Sequence, residues 1–190
     1  MEKNLILAGV GGQGILTISH LLCQIALDKG WNFKQAEAHG MAQRGGAVQS
    51  HLRLSDQPIA SELIPVGKAD LVLGIEPLEV FRYTQYLKPD GLVITSTVPQ
   101  KNIPGYPEDT VLMEWLNNLP HKILIETRAL SLAIGSLKVQ NMIILGAALP
   151  TLGFCPEECN TYLRELFGGK GDKIVEMNRQ AVAAGYRAVQ

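Results

Sequence analysis

The chain has 190 residues, with 17 Lys and Arg against 18 Asp and Glu, a net charge of −1, and 46% hydrophobic and 18% charged side chains. That length suits one domain, residues 1–190, able to bury a core without disulfide or metal staples. The near-even charge excludes the basic footprint of a nucleic-acid binder or of a protein held to an anionic membrane, and a charged share below the usual quarter points to a surface partly covered by something else.

The first residues, MEKNLILAGVGG, show no long apolar segment followed by a cleavage site, so no signal peptide is expected. NLILAGV (4–10) is a short apolar run ending near glycine, the pattern of a buried parallel strand. Ile15, Ile18, Leu22, Ile25 and Ala26 then recur at helical spacing until Gly30 stops the run. WNFKQAEA (31–38) predicts a second strand. AVQSHLRL (47–54) alternates, with Val48, Ser50, Leu52 and Leu54 on one face and Gln49, His51 and Arg53 on the other.

ADLVLGIE (69–76) predicts another buried strand, PLEVFRYTQYL (77–87) a helix with Pro77 at its first position, and KPDG (88–91) a turn. LVITST (92–97) is a further strand, VLMEWLNNL (111–119) a short helix and KILIET (122–127) a last strand. The remainder predicts helices over 128–138, 140–149, 156–167 and 171–184, with Gly168 and Gly169 as a break. The longest apolar run, MIILGAALP, is far too short to cross a membrane. Cys23, Cys155 and Cys159 are too few and too scattered for a disulfide framework or a four-ligand metal site, and are expected to be reduced thiols in a cytoplasmic protein.

Strands alternating with helices specify an α/β layered fold with a mostly parallel sheet. One connection departs from that plan. Roughly ten residues separate the second and third strands, whereas a parallel crossover needs about a dozen or more. The third strand is therefore expected to run antiparallel or to lie at an edge, and its polar face argues against burial between two helix layers.

GVGGQG (9–14) has the G-x-G-x-x-G form, between a predicted strand and a predicted helix, with Gly9, Gly11 and Gly14 in the key positions and Gly12 and Gln13 between them. Glycines let a backbone approach an anion closely, and a helix N-terminus supplies free N–H groups. Glu37 lies near where a ribose-binding acid would stand, about 20 residues further on. The same glycines equally serve a tight turn and close helix–sheet packing.

The stretch EAHGMAQRGGAVQSHLR (37–53) is polar and glycine-rich in an otherwise apolar chain. Arg44 beside Gly45 and Gly46, with His39 and Gln43 near, can offer a guanidinium and backbone N–H groups to a phosphate or carboxylate; the alternative is a solvated loop whose arginine pairs with a neighbouring carboxylate. His39 and His51 are candidates for acid–base work, and each also suits a structural hydrogen bond. His39, Met41, Gln49, His51 and Arg53 form the candidate partner-facing or active-site wall. G-x-S-x-G, H-E-x-x-H and Walker lysine patterns are absent.

ILAGVGGQGILT, GMAQRGGAVQSHLRLS and ADLVLGIEPLE together resemble the beta subunit of indolepyruvate ferredoxin oxidoreductase and, more broadly, the gamma-type subunit or domain of 2-oxoacid:ferredoxin oxidoreductases. NMIILGAAL and NRQAVAAGY extend the likeness over nearly the whole chain. The resemblance implies a Rossmann-like three-layer domain in an enzyme that oxidatively decarboxylates a 2-oxoacid to an acyl-CoA and passes electrons to ferredoxin. It implies that this chain binds no cofactor tightly by itself, and that thiamine diphosphate and 4Fe–4S clusters belong to a large alpha subunit. This chain would then supply a wall of the active site and a contact to coenzyme A. The family's AQRGG block falls on Ala42, Gln43, Arg44, Gly45 and Gly46, and its glycine loop on residues 9–14. An aromatic 2-oxoacid is the substrate suggested. Two alternatives stand beside it: a free-standing NAD(P)-binding domain resting on Gly9, Gly11, Gly14 and Glu37, and a non-catalytic assembly subunit.

Overall fold

The computed structural model describes residues 1–39, 45–101 and 103–190, without the side chain of His39. Six strands form one sheet: β1 (Glu2–Val10), β2 (Asn32–His39), β3 (Ala47–Ser55), β4 (Ala69–Gly74), β5 (Leu87–Ser96) and β6 (Lys122–Ile125), in the order β2-β3-β1-β4-β5-β6. β1, β4, β5 and β6 run parallel, and β3 runs antiparallel to both of its neighbours. The expected antiparallel strand is therefore present. It lies inside the sheet, however, and β2 takes the edge.

The sheet carries a core on each face, which makes three layers. Leu5, Leu7, Leu52, Leu54, Leu71, Leu73 and Ile94 point to the side covered by α1 (Ile15–Asp28), α4 (Thr127–Ile134), α5 (Gln140–Leu152), α6 (Asn160–Phe167) and α7 (Asp172–Arg187). Ile6, Val72 and Val93, one residue out of phase, point to the side of α2 (Pro77–Phe81) and α3 (Asp109–Asn117), where Val80, Leu112 and Leu116 meet them. The period of two along each strand makes this division.

Two sequence expectations change in detail. The helix expected over 77–87 is α2 followed by a separate tight turn, Thr84–Tyr86. Phe81, Tyr83 and Tyr86 all pack on the second core, and residues two and five apart would fall on different sides of one regular helix. KPDG is not a turn ahead of the strand but lies within β5. Leu87 pairs with Ala69 and Leu92 with Leu71, so Lys88, Pro89, Asp90 and Gly91 bulge out opposite Asp70. Lys88 is ion-paired with Asp70, which also accepts the Asn4 N–H at 2.8 Å.

α5 is apolar all round and nearly wholly buried, as such a helix must be. It crosses α7 at backbone contact. A Cβ on Gly146 would lie 2.0 Å from the Val182 carbonyl oxygen, and one on Gly185 would lie 1.8 Å from that of Ile143. Gly185→Ala should therefore force the helices apart and lower the denaturation midpoint, costing about 1–3 kcal/mol as overpacking does. Gly169→Ala, whose Cβ would meet nothing within 4 Å, should leave the midpoint nearly unchanged in the same urea titration.

Candidate functional site

The chain leaves β1 toward β2 and β3 on one side, and runs from β4 through β5 to β6 on the other. In an open α/β sheet, the crevice at such a switch point, beyond the carboxyl ends of the strands, is where ligands bind. A cleft of about 540 Å³ opens there, lined among others by Gly12, Gln13, Ile75, Gln100, Lys138 and Gln140.

The glycine loop forms one wall, and its glycines do two jobs. Gly9 and Gly14 answer to packing. A Cβ on Gly9 would lie 2.8 Å from both Gln13 Oε1 and Ile15 Cδ1, and Gly14, at φ 81°, precedes α1 with Asn141 Nδ2 2.5 Å from where its Cβ would be. Gly12, at φ 96°, faces open space. The N–H groups of Gly12, Ile15 and Leu16 have no hydrogen-bond partner among the described residues, and the first turn of α1 holds no acidic side chain. The turn-and-packing and ligand-facing uses of the motif thus fall on different residues.

The second glycine motif is brought against the first. Gly11 N–H donates to the Gly46 carbonyl at 2.8 Å, and Gly45 N–H to the Gly11 carbonyl at 3.4 Å. Register explains this. β3 runs back along β1 with Ala47 opposite Val10 and Ser55 opposite Glu2, so the start of β3 arrives beside the end of β1. His39 ends β2 opposite Val48 in the same region. Met41, Gln43 and Arg44 lie outside the described residues, as does the side chain of His39.

The remaining wall candidates separate along β3. Gln49 pairs with Ala8, close to the glycine loop. Arg53 pairs with Asn4 at the far end of the sheet, about 20 Å away at roughly 3.3 Å per residue. Its guanidinium bonds Asn4 Oδ1 at 2.8 Å, Glu2 at 2.7 Å and the Ser61 carbonyl at 2.8 Å. His51 is only 6% exposed, accepts the Ile64 N–H on Nδ1 at 3.0 Å and meets the Tyr86 ring edge-on. The polar face of β3 is thus covered after all, by the strap 56–67 and not by a helix. A strap can offer backbone N–H and carbonyl groups that a helix keeps for itself.

Glu37 does not occupy a ribose-binding position. β3 stands between its strand and β1, which sets it roughly 10 Å to the side at two strand spacings, and its carboxylate accepts from Gln35 at 2.5 Å.

Glu76, just after β4, is not among the candidate site residues that the sequence suggests. It is completely buried and gathers three donors: Tyr106 O–H and Gln100 N–H on one oxygen, and Glu79 N–H on the other at 2.9 Å. This pins the connection after β5, which carries Gln100, to the floor of the cleft. The only sign in the sequence was an acidic residue before Pro77, the mark of a helix cap. Burial pushes the Cys23 and Cys159 thiols up to about 12, and raises Cys155 as well. Among the described residues no three His, Cys, Asp or Glu side chains converge as metal ligands do.

The pyruvate ferredoxin/flavodoxin oxidoreductase family matches residues 4–188 of the chain. The indolepyruvate oxidoreductase subunit IorB of Archaeoglobus fulgidus is 35% identical over 98% of this chain and 94% of its own length. Pyruvate oxidoreductase subunit PORC of Thermotoga maritima superposes with a TM-score of 0.76 at 18% identity, over 98% of this chain and 96% of that one. The 2-oxoglutarate:ferredoxin oxidoreductase of Magnetococcus marinus, solved with 2-oxoglutarate, coenzyme A and succinyl-CoA bound, matches 99% of this chain with 31% of its own, at a TM-score of 0.78 and 16% identity. At these identities the two solved structures speak for the fold.

Tyr106→Phe should destabilise the chain by about 1.5–3 kcal/mol, the worth of a hydrogen bond to a charged group. Glu76→Gln should cost more, because an amide NH₂ would then face an N–H or O–H donor; urea midpoints of the two variants check both. His51 gives a pH signature. Burial holds its pKa below the usual value, and Nδ1 must be unprotonated to accept from Ile64. The unfolded chain therefore binds the extra proton first, so the stability from His51 is whole above about pH 6.5 and is lost as pH falls from there toward the lower folded value. Between about pH 7.5 and about pH 5.5, His51→Asn, which keeps an acceptor but does not titrate there, should show a smaller drop in urea midpoint than the parent.

Proposed function

Because this chain belongs to the pyruvate ferredoxin/flavodoxin oxidoreductase family, a subunit family of oxidoreductases acting on 2-oxoacids, we propose that it is the small subunit of an enzyme oxidising indolepyruvate or another aryl pyruvate to the acyl-CoA, with ferredoxin as electron acceptor. The observation that carries the substrate class is the likeness to IorB subunits over essentially the full chain, 35% identical in Archaeoglobus fulgidus and 32% in Pyrococcus horikoshii.

The partner is a large alpha subunit that holds thiamine diphosphate and the iron–sulfur clusters. Bound there, thiamine diphosphate would stabilise the charge left by decarboxylation and the clusters would carry the electrons. This chain contributes binding surface. Gly12 and Gln13 line the cleft in a loop shaped by Gly11 and Gly14, Gly45 and Gly46 are held against Gly11, and Gln43, Arg44, His39, Met41 and Gln49 are the further candidates for contact with the reactants or the partner. His51 and Arg53 serve the wall from behind, by fixing the strap that backs β3. Coenzyme A touches the rim of the cleft. The proposed complex works in the cytoplasm; no helix among the described residues is long and apolar enough to cross a membrane.

Coexpression with the alpha subunit should give a stable complex that reduces a viologen dye only when indolepyruvate and coenzyme A are both present, while this chain alone gives no turnover. Turnover by the isolated chain, or no complex, would overturn the proposal. In the assembled enzyme Arg44→Ala should lower kcat/KM about ten- to hundredfold, as expected for one charge-assisted contact; weaker assembly with unchanged turnover would remove Arg44 from the active-site wall.

A further inference from the structure

Two hydrogen-bonded chains end in the cleft, and the direction of each is fixed by backbone groups that can act in only one sense. The first begins at Val10, whose N–H donates to Gln13 Oε1 at 2.8 Å. Gln13 must then present its NH₂ outward, and Nε2 donates to Gln100 Oε1 at 2.9 Å. The Gln100 carbonyl is thereby engaged, and its NH₂ is what remains for the cleft.

The second chain starts at the end of β5. Val98 N–H donates to Ser96 Oγ at 3.0 Å, Ser96 Oγ lies 2.7 Å from Thr127 Oγ1, and Thr127 O–H donates to Gln140 Oε1 at 2.8 Å. Since the Thr127 proton is spent on Gln140, Ser96 is the donor to Thr127. The far end confirms the sense: Gln140 Nε2 donates to the Leu137 carbonyl at 3.3 Å, and a carbonyl can only accept. One N–H of Gln140 is left over. Ser96 and Thr127 are both fully buried, so water does not compete for either hydroxyl.

The cleft therefore receives N–H groups from Gln100 and Gln140. Gly12 adds a backbone N–H and Lys138 an ammonium, neither with a partner among the described residues, and no carboxylate is found in its lining. We infer that Thr127 and Gln13 are positioning residues that hold the Gln140 and Gln100 amides with their N–H sides to the cleft, making it a receptor for an oxoanion of the reactants. Within the proposed function, on which this rests, two reactants carry that chemistry: the carboxylate of the 2-oxoacid and the phosphates of coenzyme A.

Thr127→Val, Thr127→Ser and Gln140→Glu, made in the assembled enzyme, test the inference. Thr127→Val frees the Gln140 amide to turn and should raise one KM about five- to tenfold with kcat little changed, while Thr127→Ser restores the parent value. Gln140→Glu turns a donor toward the anion into a charge against it and should raise the same KM at least as far. A rise for the 2-oxoacid identifies the carboxylate as the occupant, and a rise for coenzyme A identifies the phosphates. Unchanged KM for both in Gln140→Glu overturns the inference, as does a serine variant as impaired as the valine one. A measurement independent of turnover separates this from failure of the functional proposal. On pyrophosphate titration of the isotope-labelled isolated chain, the side-chain NH₂ resonances of Gln100 and Gln140 should shift, and the Gln140 response should be lost in Thr127→Val. If neither resonance moves, the donor-lined cleft is wrong even where the assembled enzyme is active.

Discussion

The architecture of the cleft depends on the pairing of β3 with β1. Nine consecutive register pairs, from Glu2 with Ser55 to Val10 with Ala47, lock the two strands in opposite directions. Slipping that ladder by one residue would turn Leu52 and Leu54 away from the core and put His51 and Arg53 into it. Because the pairing is antiparallel, the beginning of β3 is delivered to the end of β1. Two glycine-rich segments far apart in sequence thus meet through Gly11, Gly45 and Gly46. A parallel β3 would have left them at opposite ends of the sheet.

The same insertion distinguishes the domain from a dinucleotide-binding fold that shares its motif. There the acid that reads the ribose stands on the strand next to the glycine loop. Here that neighbouring place belongs to β3, and Glu37 is displaced to the edge strand. The glycine motif survives the change because two of its three key glycines meet local demands: Gly9 is crowded by Gln13 and Ile15, and Gly14 by Asn141. A sequence pattern that fits both folds reports strand–loop–helix packing first and ligand chemistry second.

Local regularities were legible in the sequence and long-range pairings were not. The short link before Ala47 announced a reversal of direction, since a parallel crossover has no room there. It could not say which strand β3 would join, because that is settled by contacts with β1. KPDG carried genuine turn chemistry, yet the ion pair between Lys88 and Asp70 keeps it as a bulge inside β5. His51 and Arg53 suggested a partner-facing or active-site wall because nothing in their own segment shows that residues 56–67 return over them. Glu76 showed only the mark of a helix cap, and Gln100, Thr127 and Gln140 had no motif at all. Each owes its place to partners tens of residues away or to the turn of a neighbouring amide, and pattern-reading along the chain does not see such relations.

The state of the cysteines has a practical consequence. A thiol reacts with oxidants as the thiolate, and burial keeps Cys23 and Cys159 protonated far above neutral pH, with Cys155 shifted the same way. Cys23 and Cys159, both buried, should accordingly resist oxidation by air while the polypeptide stays folded.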